Sequence, residues 1–456
     1  MLLFKYHEYE GDILKRTIVE ELIKWKNKDG RKPLILTGVR QCGKTYVCEE
    51  FGKNYFKDYV YLNFEINSKI ASIFEYDFDV QRIIDEIAMF TGHAITVGET
   101  LLIFDEIQAC PQAITSLKYF CENLRELHVI CAGSLLGVAI KRDNFSFPVG
   151  KVDRLEMFPM SFYEFVQADG GEALLNGVAK YSLDKALPEI YAASFEKYMR
   201  YYYIVGGMPE AVLAWTKTHN FEVIEEILEN IVRDYRDDFS KHAPMSELAK
   251  LYWIWDSVPK QLAKENNKFV FSHVKAGKRS AELEDALEWL RDAGLILRLE
   301  LVANPEIPLS FVSDATYFKV YMSDIGILRK VSGIAPRTIL EETDLYKNFK
   351  GALTENFVYT ELIKQKISPF FWRSQNTAEL DFVFEYENEI VPVEAKAENH
   401  TRAKSYSQFC KKYYPKIGIK TSMKNSGIHE VEKTHTQSLP LYMLWKIKDV
   451  LKAFFG

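Results

Sequence analysis

Four short apolar runs punctuate the first third of the chain: Pro33 to Thr37, Tyr59 to Phe64, Leu101 to Phe104 and His128 to Ala132. Each has the length and continuous apolar character of a strand buried on both faces. Stretches with the spacing of an amphipathic helix lie between them, such as Val80 to Phe90 and Ala113 to Arg125. This alternation predicts an α/β core, a parallel sheet wrapped by helices. In such sheets ligands gather at the carboxyl ends of the strands, and three of the runs end there in polar or glycine-rich residues. From Met160 to about Tyr235 the pattern turns helical and aromatic, with Tyr198, Tyr201, Tyr202 and Tyr203 ahead of Gly206-Gly207-Met208-Pro209. A helical core broken by a tight turn accounts for that stretch. Phe269 to Val302 reads as helix, turn, helix and an apolar hairpin-like strand, with Gly294 placed as a helix C-cap. Further on come an amphipathic helix over Gly351 to Gln365, strands around Pro369 to Arg373, Glu379 to Phe384 and Ile390 to Lys396, and a turn through Glu385 to Glu389.

Composition narrows the classes. The 456 residues suffice for roughly three domains, at the usual prior of ~150 residues each. A hydrophobic content of 47% with 27% charged residues is ordinary for a globular protein. The net charge of -6 gives no overall attraction to nucleic acid or an anionic membrane, so any nucleic-acid contact needs a local basic patch. Acidic residues interrupt the N-terminal stretch where a signal peptide keeps its apolar core, and no run approaches the ~18 to 20 apolar residues of a membrane span. A soluble, cytoplasmic protein is expected. The 6 cysteines show no C-x-x-C spacing and the 9 histidines no H-x-x-x-H pair, so neither a zinc site nor a disulfide framework is indicated.

The first apolar run leads into chemistry. Gly38-Val39-Arg40-Gln41-Cys42-Gly43-Lys44-Thr45 fits G-x-x-x-x-G-K-[ST] at every fixed position, between a predicted strand and a predicted helix. Glycines let backbone N–H groups curl around a phosphate, and the following helix aims its N-terminal dipole at the same anion. Lys44 is expected to reach the β- and γ-phosphates, with the Thr45 hydroxyl as a magnesium ligand. About 60 residues on, Leu101 to Phe104 delivers Asp105 and Glu106 at a strand end. Asp105 is placed to hold magnesium through water and Glu106 to polarise the attacking water. The fourth run ends in Ala132-Gly133-Ser134, where Ser134 is either a γ-phosphate sensor or a small residue in a turn. No N-K-x-D guanine signature follows, which favours ATP over GTP. Cys42 inside the clamp is either an oxidation-sensitive thiol or a buried spectator.

With these motifs the chain resembles the AAA+ and related STAND-type P-loop ATPases, and within them a large prokaryotic family of predicted ATP-binding proteins with an uncharacterised C-terminal domain. The stretches that carry the resemblance are GVRQCGKT, LLIFDEIQ, CAGSLL, FPVGKVDRLEMFPMSFYEF, YYIVGGMPEAV, YFKVYMSDIGIL, GALTENFVYTEL and FWRSQNTAELDFVF, spread over most of the chain. The resemblance implies an ATPase core, a helical lid and a C-terminal domain. AAA+ proteins usually supply an arginine finger, for which Arg142 and Arg154 are candidates here, with Lys151 a third cation. It also implies that the GGMP turn lies near the nucleotide.

Two later segments extend the picture. The helix–turn–helix and strand before Val302 have the outline of a winged helix. Its helix Ala281 to Asp292 carries Glu282, Glu284, Asp285, Glu288 and Asp292 against Arg291, which favours packing between domains over a major groove. Lys275, Lys278 and Arg279 just before it can still touch phosphate. In the last third, Asp381, then Glu394 and Lys396 two apart on a strand, with Glu355 on an upstream helix, form the constellation of the restriction-endonuclease-like PD-(D/E)xK fold. Asp381, Glu394 and Glu355 would hold one or two magnesium ions and Lys396 would steer the attacking water. Arg373, Gln375, Lys404 and Gln408 would suit a phosphate backbone, whereas Glu379, Glu385, Glu387 and Glu389 crowd the hairpin. The expected layout is a P-loop AAA-type ATPase core over 1–160, a helical lid over 161–245, a winged-helix-like domain over 246–335 and an endonuclease-like α/β domain over 336–456. ATP and magnesium are the expected cofactors, and a nucleic acid or protein the expected partner of the C-terminal domain, with no membrane and an oligomer possible. The competing expectation is a nucleotide-gated switch or scaffold with negligible turnover and an inactive, partner-binding C-terminal domain.

Overall fold

A computed structural model describes residues 14–138, 146–264, 268–374, 378–397 and 404–456. The first third forms a five-stranded, all-parallel sheet in the order β2-β3-β4-β1-β5. Its strands are β1 (Leu34–Gly38), β2 (Asp58–Asn63), β3 (Thr100–Asp105), β4 (His128–Ala132) and β5 (Asp153–Met157). Strands β3 and β4 are buried along their whole length, which is why both read as unbroken apolar runs. The fifth strand, DRLEM, was not among the four apolar runs. It lies at the sheet edge beside β1, alternates in exposure, and keeps charged residues in its open positions.

Helices cover both faces. Lys44–Tyr55, which follows β1, packs Val47 and Phe51 against Leu34 and Leu36. Val80–Thr91 and Pro111–Asn123 cover Ile35, Leu102 and Phe104 on the opposite face. Asp79 caps the first of these by accepting from the Arg82 N–H at 2.8 Å. A run of helices follows, including Phe162–Ala168, Glu189–Val205, Pro209–Thr218, Phe221–His242 and Met245–Leu262. A capping box fixes the start of the first, with Ser161 and Glu164 satisfying each other's backbone N–H groups.

A second, eight-stranded mixed sheet runs β12-β13-β11-β10-β9-β8-β6-β7. Strand β6 (Ile296–Val302), the hairpin-like strand expected in the wing, pairs antiparallel with β7 (Ser313–Met322), which was not expected, and in parallel with β8 (Phe370–Arg373). The boundary expected at 335 therefore runs through a continuous sheet. A lone hairpin leaves two unpaired edges, and joining it to β8 satisfies one of them. The helix Ser280–Asp292 turns its apolar side inward, and Arg298 on β6 reaches Glu284 and Glu288, each at 3.1 Å.

The remaining elements are the helix Asp344–Lys364, β8, β9 (Glu379–Tyr386), β10 (Glu389–Ala395), the helix Lys404–Tyr413, β11 (Ile417–Ser422), β12 (Gly427–Val431), β13 (Thr434–Pro440) and the helix Ile447–Phe455. Strands β8, β9 and β10 are successively antiparallel, and β11 joins β10 in parallel. Glu387 and Asn388, both at positive φ, make the tight turn between β9 and β10. The helix carrying Glu355 begins seven residues earlier than its apolar spacing suggested, at Asp344. No described helix is long and apolar enough to cross a membrane.

Candidate nucleotide site and C-terminal carboxylate cluster

Strand β1 runs straight into the glycine loop. A Cβ on Gly38 would lie 2.1 Å from the Met157 carbonyl oxygen of β5, so only glycine lets the two strands close here. Gly43 adopts φ 91, the left-handed turn that starts the helix Lys44–Tyr55. The Lys44 ammonium folds back onto its own loop, donating to the carbonyls of Gly38 and Val39, both at 2.9 Å. The Thr45 hydroxyl donates to Asp105 Oδ2 at 2.9 Å. The two motifs thus meet at one carboxylate, nearly fully buried at the end of β3.

Neighbours hold that carboxylate in place. Tyr61 donates its hydroxyl proton to the same Asp105 oxygen at 2.7 Å, and the Asn63 amide donates to the Tyr61 oxygen at 3.1 Å. Burial first, then Asp105, keep the Tyr61 phenol protonated well above its ordinary range, whereas the Asn63 hydrogen bond works the other way. Glu106 sits at φ 49, ψ 43, a conformation non-glycine residues enter only when their surroundings impose it. Gln108 donates to Glu106 Oε2 at 2.6 Å, and a Cβ on Gly133 would lie 2.2 Å from Gln108 Oε1. Gln108 therefore connects Glu106 to the end of β4. Sequence reading missed Tyr61, Asn63 and Gln108. Tyr61 and Asn63 lie in β2 beside β3, where Asn63 pairs with Asp105. Alternation along a β2 placed next to β3 was the signal.

Ser134 is half-buried just beyond β4 and lines a cavity of about 280 Å³ with Gly38, Arg154 and Glu156. Arg291, at the end of the helix Ser280–Asp292, lines the same cavity and was not foreseen. Arg154 also lies over the Phe147 ring at 4.6 Å. Lys151 is engaged 2.8 Å from Glu122, and Arg142 lies outside the described residues.

The side chains between the two loop glycines turn away from the phosphate position. Val39 and Cys42 are buried, and the Cys42 thiol faces the Met157 carbonyl at 3.6 Å, which fits the spectator reading. Arg40 pairs with Asp238 at 2.5 Å and Gln41 donates to Asp234 at 2.6 Å, both on the helix Phe221–His242. On the same helix, Tyr235 donates to the Arg40 carbonyl at 3.1 Å. Arg16, buried against Glu164, donates to the Cys42 carbonyl at 2.8 Å.

The GGMP turn touches the loop through Pro209, whose Cγ would lie 3.5 Å from a Cβ on Gly43. Its main role is a crossing point. The Gly207 N–H donates to Asp324 Oδ2 at 2.7 Å, and its carbonyl accepts from the Met160 N–H at 2.6 Å. Asp324, two residues past β7, also caps the helix Ile325–Val331 by accepting from the Ile327 N–H at 2.9 Å. Burial pushes its carboxyl above the ordinary range, against the pull of these N–H donors. Lys364, on the helix that carries Glu355, donates to the Met160 carbonyl at 3.2 Å.

The second sheet brings Glu355, Asp381, Glu394 and Lys396 into one cluster. Lys396 Nζ lies 2.6 Å from Glu394 Oε1 and 3.8 Å from Asp381 Oδ2, which also accepts from the Ala395 N–H at 2.8 Å. Burial, then Glu394, push the Asp381 carboxyl well up, and burial likewise raises Glu394 against the pull of Lys396. Glu355 accepts from the Tyr321 hydroxyl at 3.0 Å. Lys319 completes the group, 2.6 Å from Glu379 and 3.4 Å from Glu355. Sequence reading counted Glu379 as crowding and overlooked Lys319 and Tyr321, although a lysine inside the apolar run YFKVYM signals a buried cation that needs a carboxylate. Arg373 donates to the Tyr317 hydroxyl, and Gln375 lies outside the described residues. Lys278 is engaged 2.5 Å from Glu282, and Lys275 lies over the Trp253 ring. Among the described residues, no group of three or more His, Cys, Asp and Glu is arranged to hold a metal ion.

Residues 30–166 match a family described as AAA domain, and residues 196–338 and 350–442 match two families described as Domain of unknown function, DUF8612 and DUF4143. No curated protein matches the chain. Among solved structures, a Walker-type ATPase of Pyrococcus abyssi is similar at 13% identity, with 70% of this chain and 96% of that one aligned and a TM-score of 0.43. The ORC2 protein of Aeropyrum pernix, in ADPNP and ADP complexes, aligns at 10% identity over 74% of this chain and 97% of its own, with a TM-score of 0.37. The family match coincides with the parallel sheet, the glycine loop and the Asp105 strand end, so the likeness to an AAA domain rests on residues 30–166.

Proposed function

We propose that the chain binds ATP with Mg²⁺ at the loop 38–45, hydrolyses it, and couples the nucleotide state to a nuclease-like C-terminal domain. The observation that carries this is the Thr45–Asp105 hydrogen bond at 2.9 Å, with Glu106 adjacent. The pair offers a hydroxyl and a carboxylate oxygen, the donor set that suits Mg²⁺ alongside phosphate oxygens and water. Mg²⁺, once bound, would neutralise charge developing on the phosphates. Lys44 then leaves the Gly38 and Val39 carbonyls and swings its ammonium to the β- and γ-phosphates, while the backbone N–H groups of residues 38–45 cradle them. Glu106, oriented by Gln108, holds the attacking water, and Ser134 reports on the γ-phosphate. An arginine completes the site, Arg154 or Arg291 from the cavity beside Gly38 being the described candidates.

The nuclease-like reading of the C-terminal domain rests on the helix, β8, β9, β10, helix, β11 order together with Asp381, Glu394, Lys396 and Glu355. A nucleic acid is the partner this chemistry suits, and Mg²⁺-dependent nicking lost in Asp381→Ala or Lys396→Ala tests it. A second reading has support of its own. Lys319 and Lys396 already neutralise much of the cluster, which suits a domain that recognises a partner without cleaving.

The deciding experiment measures ATP binding and ATP turnover on one preparation. Glu106→Gln should keep binding and lose turnover by about 100-fold or more, the usual contribution of a general base. Lys44→Ala should lose both. Turnover that survives either substitution contradicts these assignments, and tight binding without turnover in the unaltered protein favours the switch.

A further inference from the structure

Three acceptors from separate parts of the chain meet at one guanidinium. Arg16 lies just before the helix Ile18–Lys26, outside the residues 30–166 that match the AAA domain family. Its side chain is 5% exposed. Nη1 donates to the Cys42 carbonyl of the glycine loop at 2.8 Å and Nη2 to the Phe158 carbonyl just past β5 at 2.6 Å. Nε donates to Glu164 Oε1, on the helix Phe162–Ala168, at 3.2 Å. Nη1 also lies 3.6 Å from the place a Cβ on Gly43 would take. Glu164 is anchored in turn: Oε1 accepts from the Thr17 N–H at 2.7 Å and the Thr17 hydroxyl at 3.0 Å, and Oε2 from the Ser161 N–H at 2.7 Å.

We infer that Arg16 is a positioning residue of the nucleotide site: by holding the Cys42 carbonyl it sets the orientation of the Cys42–Gly43 peptide and presents the Gly43 N–H to the β-phosphate. The inference rests on the ATP-binding reading of the loop and adds to it a residue from outside the AAA-like segment.

Peptide geometry carries it. Across a planar trans peptide the C=O and N–H point in opposite directions, so a donor clamped on the Cys42 carbonyl turns the Gly43 N–H to the other side. Among the described residues no hydrogen bond takes up that N–H. Gly43, at φ 91 where the helix Lys44–Tyr55 begins, sits among the backbone N–H groups with which such loops cradle α- and β-phosphates. Glycine is also the residue that least fixes its own backbone, so the orientation needs an outside hold. A guanidinium fork can serve three acceptors at once. Its charge is matched locally. Burial works against the charge on Glu164, yet Arg16 and the Ser161 and Thr17 donors more than offset it and keep the carboxyl below its ordinary range. Arg16 therefore acts through the peptide and not as a free cation on the phosphates.

Calorimetric titration of ADP and of ATP into the full-length protein, with turnover measured on the same preparations, tests this. Arg16→Met should weaken both nucleotides by the same factor, about 10-fold, the worth of one hydrogen bond to a charged group. Turnover at saturating ATP should stay within about three-fold, because the β-phosphate is held alike before and after hydrolysis. Thr17→Val, which removes another hydrogen bond to Glu164 without touching the loop, should change neither quantity. Should Arg16→Met fail to fold, Arg16→Met combined with Glu164→Gln strands no buried charge and carries the same expectation. Unchanged ADP and ATP affinities, an effect on ATP alone, or an equal loss in Thr17→Val would overturn the inference while leaving the ATP-binding reading standing. No binding of either nucleotide to the unaltered protein would overturn that reading instead.

Discussion

Asp105 gathers more of the candidate nucleotide site than any other residue named there. It ends a fully buried strand, so its carboxylate has to be satisfied locally, and Thr45, Tyr61 and the Glu106 N–H do so within 3.0 Å. Asp105 and Thr45 were legible because the loop grammar and an apolar run ending in Asp-Glu are each set by local chemistry. Tyr61 and Gln108 were not, because what matters in them is which strand they lie beside, and strand order is a long-range property. His128, which opens β4, yields a prediction at the same scale. Its ring packs edge-on to Phe56 and Trp25 at 4.8 and 5.9 Å, and burial, helped by nearby Arg31, lowers its pKa to about 4. The unfolded chain takes up this proton near 6.5 and the folded chain only near 4. The stabilisation is therefore complete above 6.5 and is lost as the pH falls towards 4. The thermal midpoint should drop across this window, and less steeply in His128→Gln. An equal slope in the two proteins would refute the assignment.

Among the elements, the helix Phe221–His242 bears on the glycine loop most directly. It places Asp234 and Asp238 against Gln41 and Arg40, and its Tyr235 against the Arg40 carbonyl. The contact turns Arg40 away from the phosphate position and withholds its charge from a nucleotide there. A half-exposed pair of this kind is worth up to ~1 kcal/mol, and Asp238→Asn should tighten ATP binding by roughly two- to five-fold. Weaker binding would mean that the contact instead builds the site. The hairpin β6–β7 carries the clearest lesson in legibility. The apolar pattern gave its first strand, Leu295 to Val302, but neither its partner Ser313–Met322 nor its membership of the eight-stranded sheet, because alternation along a strand says which face is buried and nothing about which neighbour covers the edge. The same gap hid Lys319, whose partners Glu355 and Glu379 lie on elements later in the chain.

Across the whole molecule, the GGMP turn joins the glycine loop to the segment that follows β7. The GGMP turn packs Pro209 against Gly43 of the loop and hands its Gly207 N–H to Asp324. Asp324 follows β7, which carries Lys319 and Tyr321 into the carboxylate cluster. The hydrogen bonds of Gly207 and Asp324 thus lie between the glycine loop and the carboxylate cluster, the packed contacts through which the proposed coupling would run. The acidic helix Ser280–Asp292 fits the same picture: Glu284 and Glu288 are spent on Arg298, and a Cβ on Gly294 beyond the helix end would lie 3.3 Å from the Val39 N–H of the loop. Charge favoured packing between domains for this helix over a major groove; that it ends on the glycine loop could not be read from charge. Hydrogen–deuterium exchange of the full chain with and without a non-hydrolysable ATP analogue, alongside Lys44→Ala, tests the coupling most directly. The account predicts altered protection at residues 206–208 and 319–327 as well as at the loop, all abolished in Lys44→Ala. Protection changes confined to residues 38–45 and 105–108 would contradict it.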